Sequence, residues 1–247
     1  MKEQTQIKML TILKESFIII KQNWFIFLIY IIINILPILF ITVIFSSPNI
    51  ENRILPYLMP KLTANSGYIY LMLEILLAIF IVIVLNLYLS YTIISLVRDS
   101  FYNVKTNYKS YFNEFRKKGY VFFTTIALYW ICFIIGFSFL FVPALIVSVL
   151  FIFHKQAFII GDKKNTEALR YSYNLIKNRF REMFLIFIII LLWFIEYPLY
   201  NIFWSNHLNY LITVISFRLF NSLVTIFSLV FFTIYFLKLE KQVNHGN

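Results

Sequence analysis

Six stretches of the chain are almost wholly apolar, roughly residues 24–45, 68–97, 120–141, 142–160, 183–204 and 211–238, and polar residues gather between them. A helix needs about 20 such residues to cross a hydrocarbon core of about 30 Å, and each stretch reaches or approaches that length. The third and fourth run together through Phe141-Val142-Pro143-Ala144. At 1.5 Å per residue, an unbroken helix of about forty residues is twice the bilayer thickness, so the pattern predicts a tight turn-back near Pro143. The reading is an all-α integral membrane protein of six transmembrane helices in three hairpins, forming one polytopic domain over residues 1–247.

Composition agrees with that reading. Of 247 residues, 61% are hydrophobic and 13% charged, with 29 Phe and 17 Tyr, and the mean hydropathy is +0.80. A water-soluble domain of this size would have to expose much of that apolar surface, which excludes a soluble enzyme; the same hydrophobicity excludes a disordered chain.

The net charge of +11 would suggest a nucleic-acid partner in a soluble protein. Its distribution points to a membrane instead. Nineteen of the 22 basic residues lie before the first run, in 98–118, in 155–181 or in the tail, and only Arg53 and Lys61 fall in the alternate loops. Basic residues near span ends stay cytoplasmic, so both termini and the two long basic loops are expected inside, in a multi-pass plasma-membrane protein with no nucleic-acid partner. The loop at 46–67, with Pro48, Pro56, Pro60 and Gly67, is then the one sizeable external segment. Lys14, Glu15 and Lys21 interrupt the first apolar stretch, which argues against a cleaved signal peptide. Cys132 is the single cysteine, so no intramolecular disulfide forms.

An internal similarity organises the polar segments. Residues 13–24 read Leu-Lys-Glu-Ser-Phe-Ile-Ile-Ile-Lys-Gln-Asn-Trp, and residues 169–180 read Leu-Arg-Tyr-Ser-Tyr-Asn-Leu-Ile-Lys-Asn-Arg-Phe. Lys109 and Arg116 repeat the seven-residue spacing of Lys14/Lys21 and Arg170/Lys177, with Phe112 where Phe17 and Tyr173 fall. The pattern suggests repeat units at 8–97, 101–160 and 166–240, each a cytoplasmic interfacial amphipathic helix followed by a hairpin. Seven residues are about two helical turns, so each basic pair shares a face. On 166–182 the stripe Arg170, Asn174, Lys177, Arg181 opposes Ala168, Ser172, Leu175, Ile176 and Phe180, while Arg179 falls on the apolar side. Asn165 or Thr166 is expected to cap this helix. Lys14, Lys21, Lys109, Arg116, Arg170, Lys177 and Arg181 are thus candidates for contact with phosphates of anionic inner-leaflet lipids. Enforcement of topology alone is the alternative reading of the same cations.

The segment Ala168-Leu169-Arg170-Tyr171-Ser172-Tyr173-Asn174-Leu175-Ile176-Lys177 resembles the recurrent A-L-[KR]-x-S-[WY]-x-L-x-K segment of a bacterial six-span membrane-domain superfamily. That superfamily includes the membrane portion of some glycerophosphodiester phosphodiesterases and many stand-alone proteins. The resemblance covers ten residues and implies an architecture. Asn178 stands where the family often has Gly, and the chain carries no phosphodiesterase domain.

No His-Glu-x-x-His, Gly-x-Ser-x-Gly or phosphate-binding glycine loop occurs, and His154, His207 and His245 are too dispersed in sequence to propose a metal site. No enzymatic activity, cofactor or metal is therefore expected. Asn34, Asn86, Asn201 and Asn221 lie within runs, where they would cap kinked backbone or bond between helices. With no Gly-x-x-x-Gly, packing is expected to rely on large side chains. Glu74, Glu196 and Arg218 are charges inside the runs away from the cytoplasmic ends, at similar depth by helical rise, and are expected to form a buried charge cluster. A structural ion pair and a substrate or proton site are both open readings of it. The functional expectation is a non-enzymatic bacterial plasma-membrane protein of transporter-like, lipid-interacting or self-protection type. The alternative is a permease subunit of an ATP-driven exporter, with an ATPase or other membrane partner.

Overall fold

The computed structural model describes residues 9–46, 65–139, 141–177, 179 and 210–246. Its elements are α1 (Met9–Gln22), α2 (Trp24–Ser46), α3 (Asn65–Phe101), α4 (Tyr108–Ser138), α5 (Phe141–Leu150), α6 (His154–Ile159), α7 (Thr166–Ile176) and α8 (Tyr210–Gly246), with no strand among the described residues. Four helical stretches, at 76–101, 108–138, 142–159 and 215–243, are long and apolar enough to cross a bilayer, and the bent pair α1–α2 makes a fifth. Five of the six apolar runs therefore fall on described helices. The run at 183–204 lies outside the described residues.

Asn23 separates α1 from α2. Its backbone N–H and its side-chain amide both donate to the Ile19 carbonyl, at 3.1 and 3.0 Å, and its own carbonyl accepts from Ile26 N–H at 3.1 Å. A side chain competing for its helix's own carbonyl ends the ladder, and the two axes diverge by 83°. At the end of α3, Asn103 adopts a left-handed φ of 54°, and Val104 N–H closes back onto the Asp99 carbonyl at 2.8 Å. Asn107 then caps α4 by accepting from Ser110 N–H at 3.2 Å.

α8 lies at the centre of the packing. It is covered by α1, α2 and α3, while α3 also packs on α4 and α6. Along α8 every residue from 228 to 237 is buried, and along α3 every residue from 89 to 97. The core is built from large side chains such as Tyr91, Phe122, Phe153, Tyr235 and Phe236. Aromatic pairs thread through it: Tyr91 meets Phe122 at 5.6 Å, and Phe153 meets Tyr235 and Phe236 at 5.7 Å each.

Several expectations need correction. The second unit has no separate interfacial helix, because α4 runs unbroken from Tyr108 to Ser138 and carries Lys109 and Arg116 on its first turns. Nothing in that segment plays the part that Asn23 plays after α1. The helix expected over 166–182 ends at Ile176. The run at 142–160 is two helices, broken at residues 151–153. Packing is not confined to large side chains either: a Cβ added to Gly136 would stand 3.2 Å from the backbone N and Cα of Ala144, so α4 and α5 approach backbone to backbone where the chain turns before Pro143. Asn34 and Asn86 donate to the carbonyls of Tyr30 and Val82 in their own helices, at 2.8 and 3.0 Å, rather than across to a neighbour. Asn201 lies outside the described residues.

Candidate functional site

Two regions concentrate polar chemistry, the break between α5 and α6 and the basic end of the bundle. At the break, residues 151–153 form turns instead of α-helix; Phe151 N–H still bonds the Val147 carbonyl at 3.0 Å and Ile152 N–H reaches the Val149 carbonyl at 3.4 Å, so it is the groups at either end of the turn that need other partners. Ser172 on α7 supplies two of them. Its hydroxyl donates to the Leu150 carbonyl at 2.9 Å and accepts from Phe153 N–H at 3.0 Å, spanning the gap from both sides. His154 Nδ1 donates to the Phe151 carbonyl at 2.8 Å, which requires a proton on Nδ1. The imidazole stacks on Tyr129 of α4 at 4.3 Å with 7° between planes. Gln156, next on the buried side of α6, donates its amide to Thr233 Oγ1 of α8 at 3.4 Å. His154 and Gln156 were not expected as a site, since the first stood alone as a dispersed histidine and the second as a polar residue at the edge of a run. Ser172 was visible as the serine of the ten-residue segment, without its role.

α7 is seated on this break. Ala168, Leu169, Ser172, Leu175 and Ile176 are buried, and Arg170, Tyr173, Asn174 and Lys177 are exposed, as the periodicity requires. The apolar side faces the protein's own α6 and α5, so it is covered by protein and not by lipid. The capping expectation fails. Asn165 takes φ 48° and makes no side-chain cap; its Oδ1 accepts from Thr124 Oγ1 at 2.8 Å, and its N–H donates to Thr125 Oγ1 at 3.1 Å, which pins the start of α7 to α4.

At the basic end, α1 and α7 both reach α8. Lys238 meets the Glu15 carboxylate of α1 at 2.8 Å, and Tyr171 of α7 donates to Glu240 at 3.5 Å. Burial, and then the Glu240 charge, push the Tyr171 hydroxyl above its ordinary value, which keeps it a donor. Arg98 and Tyr111 both hold Asp99, at 2.9 and 2.6 Å, and Lys241 sits over the Phe101 ring at 4.5 Å. Lys118 bonds Asp162 at 3.0 Å, and that bond and charge hold the Asp162 carboxyl below its usual range. Arg179 reaches Gln242 of α8 at 3.2 Å.

The matching positions of the internal similarity share their burial. Ile12, Ser16 and Ile19 on α1 are buried, as are Ala168, Ser172 and Leu175 on α7, while Lys14, Lys21, Arg170 and Lys177 are exposed. In α4, Tyr111 is buried, and Phe112, Lys109 and Arg116 are exposed. Arg181 lies outside the described residues. So does most of the expected charge cluster: Glu196 is outside, the side chain of Glu74 is outside although its backbone belongs to α3, and Arg218 is exposed on α8. Among the described residues no group of three or more His, Cys, Asp or Glu is arranged to hold a metal ion. Comparison with protein-family models, with curated proteins and with solved structures finds no match to the chain.

Proposed function

We propose that this chain is a non-enzymatic, multi-pass plasma-membrane protein of six spans whose cytoplasmic end engages anionic lipid headgroups. One observation carries the reading: α1 turns 83° from α2 and presents Lys14 and Lys21 outward among exposed Leu10, Phe17 and Ile18. A helix lying across a span's axis with that mixed outer face suits the level where acyl chains meet phosphates, because lysine stems lie along apolar surface and their ammonium groups reach the headgroups. Arg170 and Lys177 on α7, and Lys109 and Arg116 on α4, add charge of the same sign. The ten-residue resemblance supports membership of the six-span membrane-domain superfamily.

Native mass spectrometry of the protein released gently from mixed anionic and zwitterionic bilayers tests this. The parent should retain anionic lipid, and Lys14→Gln/Lys21→Gln should weaken its binding about thirtyfold, given about 1 kcal/mol per basic residue near the surface. Equal retention by parent and variant would reject the reading. The break between α5 and α6 favours a second reading, a transporter-like role, since interrupted helices at membrane depth line polar sites in transporters. Co-purification of an ATPase would instead favour a permease subunit.

A further inference from the structure

α1 carries one acid, Glu15, directly after Lys14 on a helix whose outer face is cationic. A carboxylate at the level of lipid phosphates repels them unless its charge is spent elsewhere. Here it is spent on α8: Lys238 Nζ lies 2.8 Å from each of the two Glu15 oxygens, with both side chains partly buried. The bridge also bears on how α1 is rolled about its own axis. The buried seam of α1 is narrow, being Ile12, Ser16 and Ile19. At about 100° per residue, Ile20, Leu13 and Phe17 continue the apolar surface around one side of that seam, while Glu15 stands on the other side and Lys14 and Lys21 stand opposite it. Leu13 is 37% exposed and Phe17 62%, and Phe17 already meets the Phe227 ring of α8 at 5.5 Å. The apolar surface is thus wider than the seam it fills, and apolar contact alone does not fix the roll. A roll toward Leu13 and Phe17 would carry Glu15 outward and swing Lys14 and Lys21 to the side, and the bridge to Lys238 opposes it.

We infer that Glu15, through its bridge to Lys238, is a positioning residue that orients α1 so that Lys14 and Lys21 meet anionic headgroups. The inference rests on the headgroup reading above and adds an acid to it whose effect on binding is opposite in sign to its charge.

That opposition supplies the test. In nanodiscs of equal parts phosphatidylglycerol and phosphatidylcholine, native mass spectrometry reads the phosphatidylglycerol retained. Removing one negative charge, taken by itself, would tighten that binding about fivefold. Loss of positioning predicts the reverse, so Glu15→Gln should weaken it about threefold or more. The exchange Glu15→Lys/Lys238→Glu keeps the local charge and remakes the bridge, and should return retention to within about twofold of the parent. Nitroxides at Leu10→Cys and Val243→Cys on a Cys132→Ser background read the roll directly: their distance distribution should shift or broaden in Glu15→Gln and recover in the exchange. Retention by Glu15→Gln equal to or above the parent's overturns the inference and leaves the headgroup reading standing, as does an exchange variant as weak as Glu15→Gln or a label distance that never changes. A parent that retains no phosphatidylglycerol rejects the headgroup reading itself and this inference with it.

Discussion

Replacing Ser172 with alanine removes one hydroxyl and almost no volume, so the consequence is a hydrogen-bond effect free of a large cavity. Two bonds vanish, to the Leu150 carbonyl at 2.9 Å and from Phe153 N–H at 3.0 Å. Phe153 is fully buried, and its N–H lies at a break where no helical carbonyl takes over. Leaving a buried donor unsatisfied costs about 1–3 kcal/mol and losing a second bond about 0.5–1.5, so Ser172→Ala should lose about 2–4 kcal/mol. Ser16→Ala is the matched control. Ser16 is equally buried at the equivalent place in α1, but its hydroxyl only back-bonds to the Ile12 carbonyl at 2.8 Å, which belongs to an intact helix. Its loss should therefore stay below about 1 kcal/mol. Reversible unfolding in mixed micelles, followed by far-ultraviolet circular dichroism, measures both. The role assigned to Ser172 is refuted if its alanine variant is within about 0.5 kcal/mol of the parent, or if the two variants are equally affected.

Gly136→Val should destabilise the α4–α5 turn-back by about 1–3 kcal/mol, because even a Cβ meets Ala144 backbone at 3.2 Å; an unchanged melting temperature in detergent would contradict the close approach. On a Cys132→Ser background, Val104→Cys should react with an impermeant maleimide only after membranes are opened, and Ser66→Cys before; external labelling at 104 would reverse the orientation. Asp162 ionises more readily in the folded protein, so its bond to Lys118 is present above the ordinary carboxylate range and is lost as pH falls through its lowered value. Protection against hydrogen exchange at residues 161–165, taken relative to the intrinsic exchange rate at each pH, should fall on acidification in the parent, and Asp162→Asn should remove that fall; identical protection profiles would exclude this carboxylate as the cause.

The positions of the helices could be read from the chain because apolar runs of membrane length have few other solutions, and α7's faces because its polar and apolar residues alternate at the helical period. The breaks were harder to read. Phe151, Ile152 and Phe153 include neither proline nor glycine, and the hydroxyl that bonds across them comes from a serine 19 residues after Phe153. Asn23 ends α1 through a bond its own side chain makes, while the cation spacing alone placed a similar boundary before the span of α4, where none exists. The close contact of Gly136 with Ala144 has no Gly-x-x-x-Gly signature because its two small residues lie on different helices. Equal depth for Glu74, Glu196 and Arg218 followed from helical rise, but depth carries no information about which way each helix is rotated.

The central place of α8 sets an order of events during synthesis. α8 is made after every other described helix, yet α1, α2 and α3 bury their inner faces against it, and Glu15 finds Lys238 across 223 positions of chain. The earlier helices must therefore wait in the bilayer with those faces turned to acyl chains. Ser16 and Thr92 are equipped for that interval, since each hydroxyl is already bonded to its own helix and asks nothing of a neighbour. Gln156 is not so equipped, since its amide donates to Thr233 of α8 and not to its own helix. A chain stopped before residue 226 would leave that amide without its partner, which marks it for the quality-control machinery that removes unassembled membrane proteins.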